Sequence, residues 1–398
     1  MNVPRLIVAV TLLCALLSPL QSSKGQSAKE NADFKLAINL YNDGLNDLAA
    51  EQLKQFINNF PSTANSIEAR FYLGLTQMKL KQYEDARLTF QTFALTYQDN
   101  PKAPDAWLNV GECYVALKNY KEAALAFERV KVFHSKSNVA PQALIKASEY
   151  FKLAGLPEDA RRVLRIALQE YSNSNAALPA RTLLAQMYFD EGNLIQAQNE
   201  LKRVIEGDPS PDAKAQALLI LGNIYQAMGQ SAQAQSSYQE IISKHKSSSA
   251  VQGAHLNLGK LQMGSGKYDN AIESFKKVLD EKSRSDSTTL FEASTGIGDC
   301  YAASGEFSNA LASYEKAMPV APAPAAVHQT LWKIATVGAK GKNFARSNDA
   351  AHRLIKSRSQ DAFRKKALVR LALNAEMQKD YAQAVQHYTA FLDQHPAD

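Results

Sequence analysis

The side chains with reactive chemistry are few, and their spacing assembles no catalytic or metal-binding pattern. The histidines stand at 134, 245, 255, 328, 352, 387 and 395. None belongs to a His-Glu-x-x-His zinc motif, and no Cys-x-x-Cys pair is present. His387 and His395 are separated by an expected turn, so no single helix face joins them. The stretches Gly264-Ser-Gly-Lys267 and Gly338-Ala-Lys-Gly-Lys342 lack the spacing of a phosphate-cradling loop. Asp and Glu are spread along the chain with no pair set apart for acid–base work. These residues predict no enzyme activity, no cofactor and no metal.

Surface chemistry remains. Lys340, Lys342, Arg346, Arg353 and Lys356 form a local basic excess, continued by Arg364, Lys365, Lys366 and Arg370. Such a patch would meet an acidic partner or anionic lipid headgroups. Over all 398 residues, 45 Lys and Arg stand against 39 Asp and Glu, a net charge of +6. That excess is too thin for a protein that works on nucleic acid. Gly at 18 and Pro at 14 exclude a collagen-like or low-complexity chain.

The first residues read as an address. Arg5 precedes the apolar run Leu6–Leu17, and Pro19 breaks it before small and polar residues follow. This is the pattern of a secretory signal peptide, too short for a comfortable membrane span. The expected leader is 1–25, with cleavage after Gly25, leaving a soluble mature chain of 26–398 that associates with membrane only through a partner. Cys14 lacks the small preceding residues of a lipoprotein signal, since Thr11-Leu12-Leu13 stand there. Removal of Arg5 and Lys24, with no acids, takes the charge from +6 to +4. Cys113 and Cys300 lie several units apart and are expected as buried free thiols.

The rest of the chain repeats. Gly74, Gly111, Ala147, Ala185, Gly222, Gly259, Gly298, Ala335 and Ala372 recur at steps of 36 to 39 residues. A second column of Ala49, Ala86, Ala123, Ala160, Ala197, Ala234 and Ala271 keeps a step of 37. A third column, four residues on, holds Leu53, Phe90, Phe127, Leu164, Leu201, Tyr238, Phe275 and Tyr314. A period of this length marks a repeat array. In the unit 103–139, Trp107, Val110, Tyr114 and Leu117 fall on one helical face, Asn119-Tyr120 turn the chain, and Lys121–Phe133 forms a second helix. Neither helix hides its apolar face alone, so neighbouring units must stack. Gly155, Gly192, Gly229, Gly266 and Gly305 fall at the turns, as helix C-terminal residues should. Pro319, Pro322 and Pro324 mark 319–343 as a weak joint.

Trp107, Val110, Gly111, Tyr114, Ala123 and Phe127 together match the signature Trp-x2-Leu-Gly-x2-Tyr, then Ala-x3-Phe, with Val for Leu. The chain thus resembles the tetratricopeptide repeat family over nearly all its mature length, in a longer 37-residue variant like that of bacterial envelope and outer-membrane-assembly proteins. The resemblance implies an all-α fold, a right-handed α-α superhelix of about ten helical hairpins. It also implies a concave groove, lined by the first helices, that binds another protein or a peptide segment. Carried onto this sequence, the lining positions are Phe71, Met78, Leu108, Val115, Leu144, Phe151, Phe189, Leu219, Asn223, Leu256, Met263 and Trp332, with Gln226 and Lys260 among the polar ones. The tenth unit closes at His395-Pro396 with no helix after it, which points to self-association or a covering partner there. The resulting expectation is a non-enzymatic interaction scaffold exported to the periplasm or cell envelope. The alternative is the repeat arm or accessory subunit of a larger envelope enzyme or transport complex.

Overall fold

The structure is a computed structural model of the chain and describes residues 18–280, 285–357 and 361–394. The apolar run Leu6–Leu17, with Cys14, lies outside the described residues, as does the His395-Pro396 close. Among the described residues there are helices and turns and no strand. In chain order the helices are α1 (Ser18–Asn42), α2 (Asn46–Asn59), α3 (Ala64–Lys79), α4 (Tyr83–Thr96), α5 (Ala103–Ala116), α6 (Tyr120–Phe133), α7 (Ala140–Leu153), α8 (Pro157–Glu170) and α9 (Ala177–Asp190). They continue as α10 (Leu194–Glu206), α11 (Pro211–Ala227), α12 (Ser231–Lys244), α13 (Ala250–Gly264), α14 (Tyr268–Asp280), α15 (Ser287–Ala303) and α16 (Phe307–Ala317). A 3-10 turn at Met318–Val320 leads to α17 (Pro324–Lys340), α18 (Phe344–Lys356), α19 (Asp361–Met377) and α20 (Tyr381–Gln394). Odd-numbered helices are the first of each hairpin, even-numbered the second. The expected leader boundary after Gly25 falls inside α1.

Each hairpin turns in the same way. A left-handed residue follows the first helix at Gly44, Lys81, Lys118, Gly155, Gly192, Gly229, Gly266, Gly305, Lys342 and Lys379. This conformation lets the turn amides bond back to the last carbonyls of the first helix. At Gly155 the amide reaches the Lys152 carbonyl, and the Leu156 amide reaches the Phe151 carbonyl. Lys118 makes the same turn at φ 61°, where an L side chain is strained. Lysine does not announce this geometry, so the sequence pattern reveals only the glycine members of the column.

The chain divides into two compact units, Met1–Met187 and Tyr188–Asp398. In the first, Leu53, Phe56, Ile57 and Leu73 form one core cluster, and Phe71, Phe90, Phe93, Trp107, Val110 and Val130 form the next. In the second, successive clusters gather on Tyr238, Phe275 and Tyr314. Each is a stack of hairpins with small shared cores, the solenoid expected of the repeat. Leu331 and Ile334, within the proline-marked segment, are buried with Tyr314, Ala350 and Leu354.

The small-residue column explains the hairpin spacing. A Cβ on Gly111 would lie 2.5 Å from the ring of Phe127, and one on Gly222 would lie 2.4 Å from Tyr238. The ring of the second helix therefore occupies the space that a side chain on the first would need. The expected member Ala147 is one residue out: Ser148 holds the column there, and where the first helix carries Ser148, Ala185 or Ala335, the ring's register position holds Leu164, Leu201 or Ala351. Full burial of each ring is worth roughly 3 kcal/mol, so the column is a main source of hairpin stability. Cys113 and Cys300 are free and buried. Burial pushes the Cys113 thiol up to about 12 and the Cys300 thiol to about 11.

Candidate functional site

Consecutive first helices are tied by polar side chains about one repeat apart. In the first unit Lys102 pairs with Glu68 at 3.1 Å, and Lys146 pairs with Glu112. In the second unit Asn257 Nδ2 donates to Asn223 Oδ1 at 2.7 Å, and Lys333 Nζ reaches both Asp299 oxygens at 2.8 and 2.7 Å. These residues sit on one face because the repeat returns the same helical angle every period. Exposed pairs of this kind contribute at most about 1 kcal/mol each, so their main effect is to fix the polar groups in position.

Two rungs share one design. The buried Tyr238 hydroxyl of α12 donates to Asn223 Oδ1 at 2.8 Å and to Gln226 Oε1 at 3.2 Å. The Tyr314 hydroxyl of α16 donates to Asp299 Oδ1 at 2.7 Å. Burial raises both phenols well above their ordinary value, so both stay donors, and the Asp299 charge adds to the effect at Tyr314. The second-helix tyrosine thus locks an acceptor on the first helix, and the next repeat supplies a second donor to it.

Around the amide rung, Phe189, Asn223, Gln226, Ala227, Asn257 and Lys260 line an open cavity of about 400 Å³ within the second unit. Lys260 Nζ lies 2.5 Å from Glu292 Oε2, which holds that cation at the cavity edge. Among the described residues, Asn223 Nδ2 and Asn257 Oδ1 have no protein partner, while their other amide atoms are locked. One free donor and one free acceptor, on adjacent first helices, are the complements of the carbonyl and N–H of a peptide group.

Of the lining positions expected from the sequence, Phe189 and Asn223 come together here, with Gln226 and Lys260. Phe71, Leu144, Phe151 and Leu256 are buried. Phe71 packs edge-on against Phe90 and Phe93 of α4, so its ring belongs to the core and not to an open channel. Met78 and Leu108 pack half-buried on the same cluster, Met263 does so beside Phe275, and Val115 and Leu219 are half-buried. Trp332 is half-buried, with Lys366 and Arg370 each 5.9 Å from its ring. Asn257 escaped the sequence reading, although its place one 34-residue step after Asn223 was a usable signal.

Lys340, Lys342, Arg346, Arg353 and Lys356 are exposed, as are Arg364 and Lys366, while Lys365 and Arg370 are half-buried. Lys340 ends α17, Lys342 forms the turn, and Arg346, Arg353 and Lys356 lie along α18. Arg346 is 3.6 Å from Glu315 and Arg353 is 3.8 Å from Asp349, so part of their charge is already answered. Among the described residues, no group of three or more His, Cys, Asp or Glu could hold a metal ion, and no helix is long and apolar enough to cross a membrane.

Hairpins of this repeat length, packed through a small-residue column and an aromatic column, define a helical-repeat protein. The chain belongs to the tetratricopeptide repeat family. Its sequence matches tetratricopeptide repeat profiles over 34–95, 73–138 and 366–398, and a tetratricopeptide repeat-like domain over 213–338. No curated protein sequence matches it. Among solved structures it is similar to PilW, a type IV pilus biogenesis factor, at 18% identity and TM-score 0.42, covering 56% of this chain and 96% of that one. It is similar to pilF of Pseudomonas aeruginosa at 15% identity and TM-score 0.37, covering 55% and 92%. It is also similar to the C-terminal part of a TPR repeat-containing protein from Cytophaga hutchinsonii, at 17% identity and TM-score 0.46, covering 66% and 99%.

Proposed function

We propose that the chain is a non-enzymatic protein-interaction scaffold that holds an extended segment of a partner on the first-helix face of its second unit. The observation that carries this reading is the pair of half-locked amides, Asn223 and Asn257, with a free donor and a free acceptor over the cavity. Tyr238 fixes the first amide before any ligand arrives, which lowers the ordering cost of binding. Phe189 offers an apolar wall, so a segment with an apolar side chain fits beside its backbone, while the charge of Lys260 is already answered by Glu292. The test is photo-crosslinking from Gln226 in envelope extract, followed by affinity measurement on the recovered partner. Asn223→Ala and Asn257→Ala should each weaken binding about tenfold, the value of a lost hydrogen-bond pair. Unchanged affinity in both variants refutes the groove.

Export to the bacterial cell envelope belongs to the same proposal and is supported by Arg5 and the run Leu6–Leu17. N-terminal sequencing of the mature protein tests it, with a start at Gln26 expected. The exposed Lys340, Lys342 and Lys356 support an acidic contact on α17 and α18 as a lesser part of the surface. A second reading, an accessory arm of a larger envelope complex or a self-associating chain, draws on exposed Tyr381, Val385 and Leu392 of α20. Val385→Glu should lower the sedimentation mass of any assembly formed through that face, and an unchanged mass removes it.

A further inference from the structure

A second cavity, of about 490 Å³, lies in the first unit between α2, α3 and α4. Its floor is apolar. Ile57, Leu73 and Phe93 are buried beneath it, and Leu88 stands at the rim 52% exposed. Its charges are one-signed: Lys54 and Arg70 line it, and no carboxylate does. Lys54 is exposed and has no ion-pair partner among the described residues. Arg70 reaches only the Pro61 carbonyl, at 3.4 Å through Nη2, and its Nε is buried with no partner among the described residues. That Nε is closed to a ligand, but the rest of the half-buried guanidinium lines the cavity, and a carboxylate is the group that pairs with it best.

From this arrangement we infer that the cavity is a second docking site, for a peptide segment that carries an acidic residue beside a leucine- or phenylalanine-sized one. The carboxylate pairs with Arg70 and Lys54, and the apolar side chain enters between Leu88 and the Leu73–Phe93 floor. The remaining lining favours a peptide over a fatty acid. Asn58 and Thr92 are exposed there with hydrogen-bonding groups that a peptide backbone uses and an acyl chain does not. This site is separate from the amide groove of the second unit and uses none of its residues.

The test pans a display library of random short peptides against the purified chain and measures the enriched peptides by fluorescence anisotropy. The expected enrichment is Asp or Glu adjacent to Leu, Ile or Phe. Arg70→Gln and Lys54→Glu should each weaken those peptides about tenfold or more, Leu88→Asp should abolish binding, and Asn223→Ala should leave it unchanged. Lys54 and Leu88 are exposed, so their variants stay informative even where Arg70→Gln disturbs the fold, which circular dichroism checks. Peptides without the acidic–apolar pair, or affinity indifferent to Arg70→Gln and Lys54→Glu, overturn the proposal. So does loss of binding in Asn223→Ala, which would move the peptides to the other groove. Oleate binding at the site, with no peptide enriched, overturns the peptide as occupant.

Discussion

Gly111→Ala tests the packing logic of the repeat directly. The new Cβ would stand 2.5 Å from Phe127 Cε1 and 2.7 Å from Cδ1 and Cζ. Carbon atoms rest about 3.5–4.0 Å apart, so the ring must retreat by about 1 Å. Phe127 is fully buried and stacks on Tyr150 at 5.6 Å, which leaves it little room. Overpacking of this kind costs about 1–3 kcal/mol, and the confined ring argues for the upper end. Replacing a helical Gly with Ala returns about 1 kcal/mol, so the net loss should be about 2 kcal/mol. Phe127→Leu alone should cost about 1–2 kcal/mol through lost burial and a small cavity. The double variant should be far better than the sum, with a coupling energy of about 2 kcal/mol, because the chain already uses the Ala185 and Leu201 combination at the same register. The assay is urea unfolding followed by fluorescence in a Trp332→Phe background. That leaves Trp107, buried in the adjoining core, as reporter of the first unit. A Gly111→Ala chain at least as stable as the parent, or a double variant equal to the sum of the singles, refutes the reasoning.

Lys118→Gly should raise stability by about 0.5–1 kcal/mol, since φ 61° strains a lysine and not a glycine; an unchanged or lower melting temperature counts against it. With thiols pushed up to about 12 and about 11 by burial, Cys113 and Cys300 should resist iodoacetamide at neutral pH and react once denatured. Native alkylation at the unfolded rate would contradict this. The same raised values, with those of Tyr238 and Tyr314, make the folded state favour the neutral forms, so their stability is complete below the unfolded thiol value of 9.0. It should be lost as pH climbs toward 12, and a flat stability from pH 9 to 12 by denaturant titration would oppose the assignment.

The period carried most of the fold. The small and aromatic columns located every hairpin because stacking repeats bury the same positions each time. The binding face was less legible, for a physical reason seen at two registers. The position three before the small column is buried in the core at Phe71 and Leu256 and half-buried at Leu108, Leu219 and Trp332. The position one after it, as in Asn223 and Asp299, meets the residue two before the column on the next first helix, Asn257 and Lys333. A family rule that treats both registers as lining selects apolar residues that the core has already taken. The Arg70 cavity drew no attention in the sequence because its residues come from three helices and share no column.

Asn374 offers the sharpest remaining test of how far the repeat rules extend. It sits two residues past the small column, where the preceding unit has Val337, and it is fully buried on α19. Its Nδ2 donates to Ser347 Oγ and to Asn348 Oδ1, each at 2.7 Å, and Ser347 Oγ donates to the Ala335 carbonyl at 2.6 Å. Its Oδ1 is buried with no partner among the described residues. A half-satisfied polar group of this kind costs about 1–3 kcal/mol relative to an apolar one of the same shape. Ser347→Ala alone removes one of the two acceptors of the Asn374 amide and should destabilise the chain. Ser347→Ala with Asn374→Val removes the polar network altogether and restores the apolar pattern of the preceding unit. The double variant should therefore unfold at higher urea than the parent by about 1 kcal/mol, while Ser347→Ala unfolds earlier. If the double variant is instead the less stable, the network holds α18 and α19 together in a way that apolar packing cannot replace, and the repeat pattern is not the guide to stability at this hairpin.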